Sequence, residues 1–322
     1  MKRKAISFLL VLIMLLSLCA CGGKGAKEPE VSAVAKYLLE ANPQPATGSM
    51  GGEWLVFGLA RYGADVPDGY FEGYYANLEG YVKSCGGVLS DRKYTEFSRV
   101  IIAVTAMGKD ARNVAGYDLT LPLANYERTV FQGVNGAVYA LLALDCGNYE
   151  IPETVEGTQA TRDMYVDFIL SCELPEGGWS FAGGAAEADV TGMVLQALAK
   201  YTHREDVSAA VERGLAFLSG AQLANGGFAE DDTESCETLA QVIVALTELG
   251  IPLDDARFVK DGKTVFDRLC DFYMEDGGFA HALDEEKSNP MATEQAFYAL
   301  VAIWRVNNGD YGLFSMSYDT SW

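Results

Sequence analysis

Glu176-Gly177-Gly178-Trp179, Asn225-Gly226-Gly227-Phe228 and Asp276-Gly277-Gly278-Phe279 recur at spacings of 49 and 51 residues, and a weaker Cys85-Gly86-Gly87-Val88 lies 91 residues before the first. A fixed period near fifty is the mark of an array in which each unit buries its apolar face only against its neighbours. Every Gly-Gly pair follows an apolar helical pattern, clearest over 211–220. The glycines, Gly227 among them, are therefore expected to end that helix with positive φ while the next aromatic staples the turn to the core. Beyond each turn a second, more apolar helix begins, as in 192–199, 239–246 and 295–302. Helices apolar nearly all round, with alanines at close-packing positions, are buried on both sides. The helix before each of them keeps a charged face.

Outer segments fall at 30–40, 70–83, 121–131, 162–172, 207–220 and 263–273, alternating with inner segments at 52–62, 94–107, 134–144, 189–201, 237–249 and 291–305. Six helical hairpins in sequence predict an all-α fold, an α/α six-fold barrel (toroid) over 31–308, with 309–322 as a short C-terminal tail and no second domain.

The chain has 322 residues, 49% hydrophobic and 21% charged, which excludes a disordered polymer. Its 45 acidic against 24 basic residues give a formal charge of -21, a field that repels phosphate backbones, so nucleic acid is not an expected partner. Seven irregularly spaced cysteines without a C-x-x-C pair give neither a disulfide scaffold nor a closed zinc site.

Lys2, Arg3 and Lys4 precede an apolar run of 14 residues over 5–18, the length of a signal-peptide core and short of a membrane span. The run ends in Leu18-Cys19-Ala20-Cys21, which resembles the bacterial lipoprotein cleavage box Leu-x-(Ala/Gly)-Cys. The resemblance implies a signal peptide over 1–20, lipidation of Cys21 as the new N-terminus, a flexible tether over 21–30, and an extracytoplasmic protein held to the cell membrane by its lipid. A plain secretory cut after Ala20 is the alternative. Removing the leader leaves 21 basic against 45 acidic residues. Cys85, Cys146, Cys172, Cys236 and Cys270 then read mostly as buried thiols.

Arg213-Gly214-x-x-Phe217-Leu218-x-x-x-Gln222-x-x-x-Gly226-x-Phe228 resembles the QW repeat of squalene and hopene cyclases, and the whole barrel is similar to the prenyltransferase and squalene cyclase superfamily. The Gln position is Glu173 or Tyr273 in the other units. Bacterial lipoproteins and surface proteins with terpene-cyclase-like barrels look similar too, as does the barrel of transcobalamin-like proteins, whose separate β domain has no counterpart here. The cyclase resemblance implies an acid in an Asp-x-Asp-Asp-Thr-Ala motif, because an alkene is a poor base. Here that stretch is Glu187-Ala188-Asp189-Val190-Thr191-Gly192. Asp189 takes the acid's place and Glu187 the first Asp's, while Val190 replaces a supporting carboxylate. Asp189 is also expected to cap the fourth inner helix.

Glu234-Ser235-Cys236 resembles the Asp-x-Cys zinc ligands of protein prenyltransferase β subunits. The third ligand is lacking, since 289–294 holds no His and His281 lies back in the loop, so no metal or cofactor is expected. Glu230-Asp231-Asp232-Thr233-Glu234 reads as a solvated acidic turn, and His203 as a solvated loop residue.

Glu53, Glu96, Asn135, Asp189, Glu237 and Glu294 stand one per repeat near the start of an inner helix, so together they ring one mouth of the barrel. Such residues either cap helices or contact a ligand. Trp54, Phe57, Phe97, Tyr139, Phe297 and Tyr298 are candidates for an apolar or cation-binding pocket beneath them. The sequence favours a lipid-anchored surface toroid that binds a small-molecule or protein ligand without chemistry. The alternative is an exported terpenoid-cyclase-like enzyme with Asp189 as general acid. The two differ in the barrel interior: an enzyme needs a deep cavity reaching the carboxylate, and a binding module has a filled barrel and a functional rim.

Overall fold

The computed structural model describes residues 28–230 and 232–316. Cys21, with the signal peptide and most of the tether, lies outside them. The described residues form twelve α-helices: α1 (Val31–Ala41), α2 (Trp54–Tyr62), α3 (Tyr70–Ser84), α4 (Thr95–Ala106), α5 (Tyr126–Val130), α6 (Val134–Cys146), α7 (Arg162–Ser171), α8 (Ala188–Leu198), α9 (Glu205–Ala221), α10 (Cys236–Glu248), α11 (Val265–Cys270) and α12 (Pro290–Asn307). The even-numbered helices are the inner ring. Each packs on the next, and α12 packs on α2, so the ring closes. The fold is an all-α toroid of six hairpins, as the repeat predicts.

Two outer helices are shorter than the pattern suggests. In 121–131 a 3-10 turn, Leu121–Ala124, carries Pro122, and Asn125 restarts the chain by accepting from Arg128 N. The break falls at Asn125, whose extended backbone, φ -90° and ψ 107°, interrupts the helix and starts a new one. In 263–273, Thr264 opens α11 with a capping box to Asp267, and the helix ends at Cys270.

The Gly-Gly turns lie past the helix ends rather than on them. Leu223 N donates to Gly227 O and Gly226 N to Leu223 O, a tight turn repeated at 174–178 and 274–278. The first glycine of each pair takes the positive φ, at +90° for Gly177, +89° for Gly226 and +97° for Gly277. Gly227 does not, which corrects the expectation placed on it; glycine is needed there because a Cβ would fall 1.9 Å from Glu234 Oε2. A Cβ on Gly226 would meet Thr264 O of the next unit at 2.4 Å, and one on Gly277 would reach Tyr37 of α1. The same turn therefore seats each unit on its successor and the last unit on the first. The following aromatics, Trp179, Phe228 and Phe279, are buried. Gln222 of the QW-like repeat ties the turn by donating to Gly226 O and Phe258 O, both at 3.0 Å. In the other units Glu173 pairs with Arg213 instead, and Tyr273 packs on Phe279.

The five described cysteines are free thiols, three of them buried. Among the described residues no helix is long and apolar enough to cross a membrane.

Candidate functional site

The connections from outer to inner helices gather at one face, where six inner-helix N-termini bring their positive dipole ends together. The residues predicted to ring this mouth divide into three kinds. Glu53 and Glu294 are buried and serve the chain itself. Both Glu53 oxygens accept from Gly48 N, Oε1 also from Tyr74 Oη at 2.9 Å, and Oε2 from Arg99 Nε at 3.0 Å. Glu294 Oε1 accepts from Gly51 N at 2.7 Å, and burial, helped by the Glu53 charge, pushes its carboxyl up to about 7. Together they clamp the segment 48–53 that leads into α2, where Gly51 is left-handed with φ 64°. Neither side chain caps its own helix.

The second kind is paired but accessible. Glu96 binds Arg99 at 2.5 Å, so one guanidinium bridges Glu96 and Glu53. Glu237 Oε2 meets His281 Nδ1 at 2.8 Å, while its Oε1 is buried with no hydrogen-bond partner.

Asn135 and Asp189 form the third kind, half-buried and open to the mouth. Asp189 is not the N-cap of α8. That position is Glu187, whose Oε2 instead accepts from Phe181 N at 3.2 Å and holds the loop. Asp189 Oδ1 accepts from Val190 N in its own turn at 2.7 Å, and burial raises its pKa. Burial favours the protonated form of this carboxyl, and Val190 supplies no neighbouring carboxylate to share its proton.

One helical turn further in, at i+4 from the rim, stand Phe57, Tyr139, Met193, Gln241 and Tyr298. Trp54 lies 5.8 Å from Tyr139 and 6.2 Å from Tyr298, ring centre to ring centre. Tyr139 Oη donates to Met193 Sδ at 3.3 Å, and burial with the Asp189 charge pushes its hydroxyl up to about 12. Gln241 Nε2 donates to Tyr298 Oη at 2.5 Å and Gln295 Oε1 at 2.9 Å, and it is braced by Gln196. Trp54, Tyr139 and Gln295 remain half-buried, so they floor a cup that solvent reaches from the mouth. Phe97 and Phe297 belong elsewhere: Phe97 packs on Tyr94, and Phe297 fills the α2 contact at Gly58 and Tyr62.

Beneath the cup the axis is occupied. Trp54 packs edge-on to Phe57 at 6.0 Å, and Phe57 stacks on Phe314 at 5.2 Å. Phe314 comes from the short C-terminal tail. Residues 312–316 instead plug the far mouth: Arg61 donates to the carbonyls of Gly312, Leu313 and Ser315, Met316 N donates to Cys146 O, and Leu313, Phe314 and Met316 are buried. The rest of the tail, 317–322, lies outside the described residues.

Sequence reasoning also missed an apolar crown. Met50 (58% exposed), Phe131 (61%), Phe181 (49%) and Leu283 (46%) all project from outer-to-inner connections around the cup. Their signal was present, an aromatic or long aliphatic in each polar loop, but exposure cannot be read from one sequence.

The zinc-like stretch is committed to structure. Glu234 pairs with Arg268 at 2.7 Å and Asn225 at 2.9 Å, Ser235 caps α10, and Cys236 is buried. The acidic turn before it is a short hairpin, Ala229–Glu230 against Thr233–Glu234, and its Glu234 is not solvated. Among the described residues no three His, Cys, Asp or Glu side chains gather as metal ligands.

Fold and mouth together define an α/α toroid with an acidic, aromatic-floored cup at one end and a plug at the other. No protein-family model matches the chain, and no characterised protein matches it in sequence. Solved structures do match in fold. A type II terpene cyclase from Scytonema superposes with TM-score 0.56 at 15% identity, over 84% of this chain and 95% of its own. Protein geranylgeranyltransferase-I of Candida albicans, complexed with GGPP, gives 0.59 at 11% identity over 90% and 96%. An unsaturated glucuronyl hydrolase with dGlcA-Glc-Rha-Glc gives 0.57 at 12% over 89% and 97%. All three are α/α toroids, so this chain has the terpene-cyclase-like toroid fold; at such identities the likeness is one of fold alone.

Proposed function

We propose that this protein is a lipid-anchored, non-catalytic binding module at the outer side of the cell membrane, which takes its ligand at the cup and apolar crown. The observation that carries the reading is the filled axis. Phe314, Phe57 and Trp54 form a column of packed rings, continued by Tyr139 and Tyr298, between the plug and the rim, which favours the rim as the usable surface. Met50, Phe131, Phe181 and Leu283, exposed on four connections at the same mouth, offer apolar contacts to a ligand there. The lipid anchor rests on Leu18-Cys19-Ala20-Cys21, with 21–30 as the spacer between membrane and toroid.

The test uses Trp54 as reporter. Intrinsic fluorescence of the wild type and of Trp54→Phe is titrated with farnesol, geranylgeraniol, squalene and tetraethylammonium, and the same samples are analysed for products by mass spectrometry. Saturable quenching that Trp54→Phe abolishes, with no product formed, is the expected result. Cyclised product that disappears in Asp189→Asn overturns it in favour of an enzyme. For the anchor, mass spectrometry of membrane-extracted protein should find diacyl or triacyl Cys21, and Cys21→Ala should release the protein from membranes.

A further inference from the structure

The far mouth, where the inner helices end, holds a second cavity of ≈ 430 Å³ beside the plug. Its lining includes Arg61, Lys200, Arg305, Asn148 and Ser315, and among the described residues none that lines it is acidic. That is unexpected in a chain carrying 45 acidic residues against 24 basic ones.

Cations at helix C-termini have an ordinary role, since they offset the negative dipole end and bond the last carbonyls. That role uses only part of these three. Arg61 spends Nε and Nη2 on the plug carbonyls, and Arg305 spends Nε on Tyr311 O and Nη1 on Arg61 O. Lys200 Nζ gives one bond, to Asp145 O at 2.6 Å. Arg61 Nη1, Arg305 Nη2 and two ammonium protons of Lys200 are left over, because a guanidinium offers five N–H donors and an ammonium three.

Acids stand near the group, but none of them is among the described residues that line the cavity. Glu248 turns to the plug and accepts from Phe314 N, Asp310 stands 3.9 Å from Arg305, and the Asp145 carboxylate is taken by Arg162 and Tyr201. The crowding is visible in Arg61, lowered to about 10 by burial and then by the Arg305 charge.

We propose that this cavity is a binding site for a small soluble oxyanion bearing phosphate groups, held by Arg61, Arg305 and Lys200 with Asn148 and Ser315 completing its shell. Guanidinium forks match phosphate oxygens in pairs, Lys supplies a point charge, and the cavity is concave and partly roofed by the plug, which suits a soluble anion better than a flat lipid surface. This site is at the opposite end from the cup and does not depend on what the cup binds.

Isothermal titration of the full chain with inorganic pyrophosphate, in 150 mM NaCl to screen the chain's overall negative field, tests it. Saturable binding is expected, weakened tenfold or more in Lys200→Met and retained in Lys200→Arg. Should Lys200→Met fold poorly, Ser315→Glu places a carboxylate in the cavity and should abolish binding while the Trp54 titration at the cup stays unchanged. No saturable heat, equal binding by Lys200→Met and wild type, or binding seen only to vesicles containing phosphatidic acid overturns the proposal.

Discussion

Replacing Glu294 with glutamine removes one buried charge and little else. The amide oxygen can still accept from Gly51 N, as Glu294 Oε1 does at 2.7 Å, and the side-chain volume is kept. In the folded protein the Glu294 carboxyl is pushed from its ordinary 4.5 to about 7 by burial and by Glu53. Below about pH 4.5 it is neutral in both states and costs nothing. As pH rises through that interval the unfolded chain ionises first, so the folded state loses relative stability until about pH 7, where the loss is complete. An interval of about 2.5 pH units at about 1.36 kcal/mol each sets a ceiling near 3 kcal/mol. Glu294→Gln should therefore equal the wild type at pH 4 and exceed it by about 2–3 kcal/mol at pH 8, or about 3–5 °C in melting temperature. Urea titrations from pH 4 to 8 measure it. Asp189 and Glu248, also raised by burial, tilt both proteins alike and cancel in the difference. Parallel stability profiles for the two proteins would refute the buried-charge account of the 48–53 clamp.

Gly226→Ala forces a Cβ to φ +89° and to 2.4 Å from Thr264 O, so it should cost about 2–4 kcal/mol in urea unfolding. Gly220→Ala, which meets nothing within 4 Å inside α9, should be neutral or stabilising by up to about 1 kcal/mol, and equal effects would refute the seating role of the turn. Phe314→Ala empties the foot of the axial column and should cost about 3–5 kcal/mol, with a rise in dye binding by the opened far mouth; a cost below about 1 kcal/mol would mean that the plug is not part of the core.

Sequence alone fixes the twelve-helix alternation, because period and amphipathicity are local: 3.6-residue apolar patterns on the outer helices, all-round apolarity on the inner ones, and a Gly-Gly-aromatic turn every fifty residues. It also places one polar residue per repeat at the start of an inner helix. It does not tell what each of these does. Glu53 and Glu294 face donors that arrive from Gly48, Gly51, Tyr74 and Arg99, residues brought together only when the first and last hairpins meet. The two shortened outer helices were half legible, in the capping residue Asn125 and in the Thr264–Asp267 pair. The plug was not legible at all. Gly312-Leu313-Phe314-Ser315-Met316 carries no periodic pattern, and its partners Arg61, Cys146, Glu248 and Phe57 are remote in sequence, Arg61 lying 254 residues before Ser315. Which face of an all-apolar helix looks to the axis, and whether that axis is hollow or filled, depends on ring closure, since only the closed ring sets how much volume the side chains and the C-terminal segment must fill.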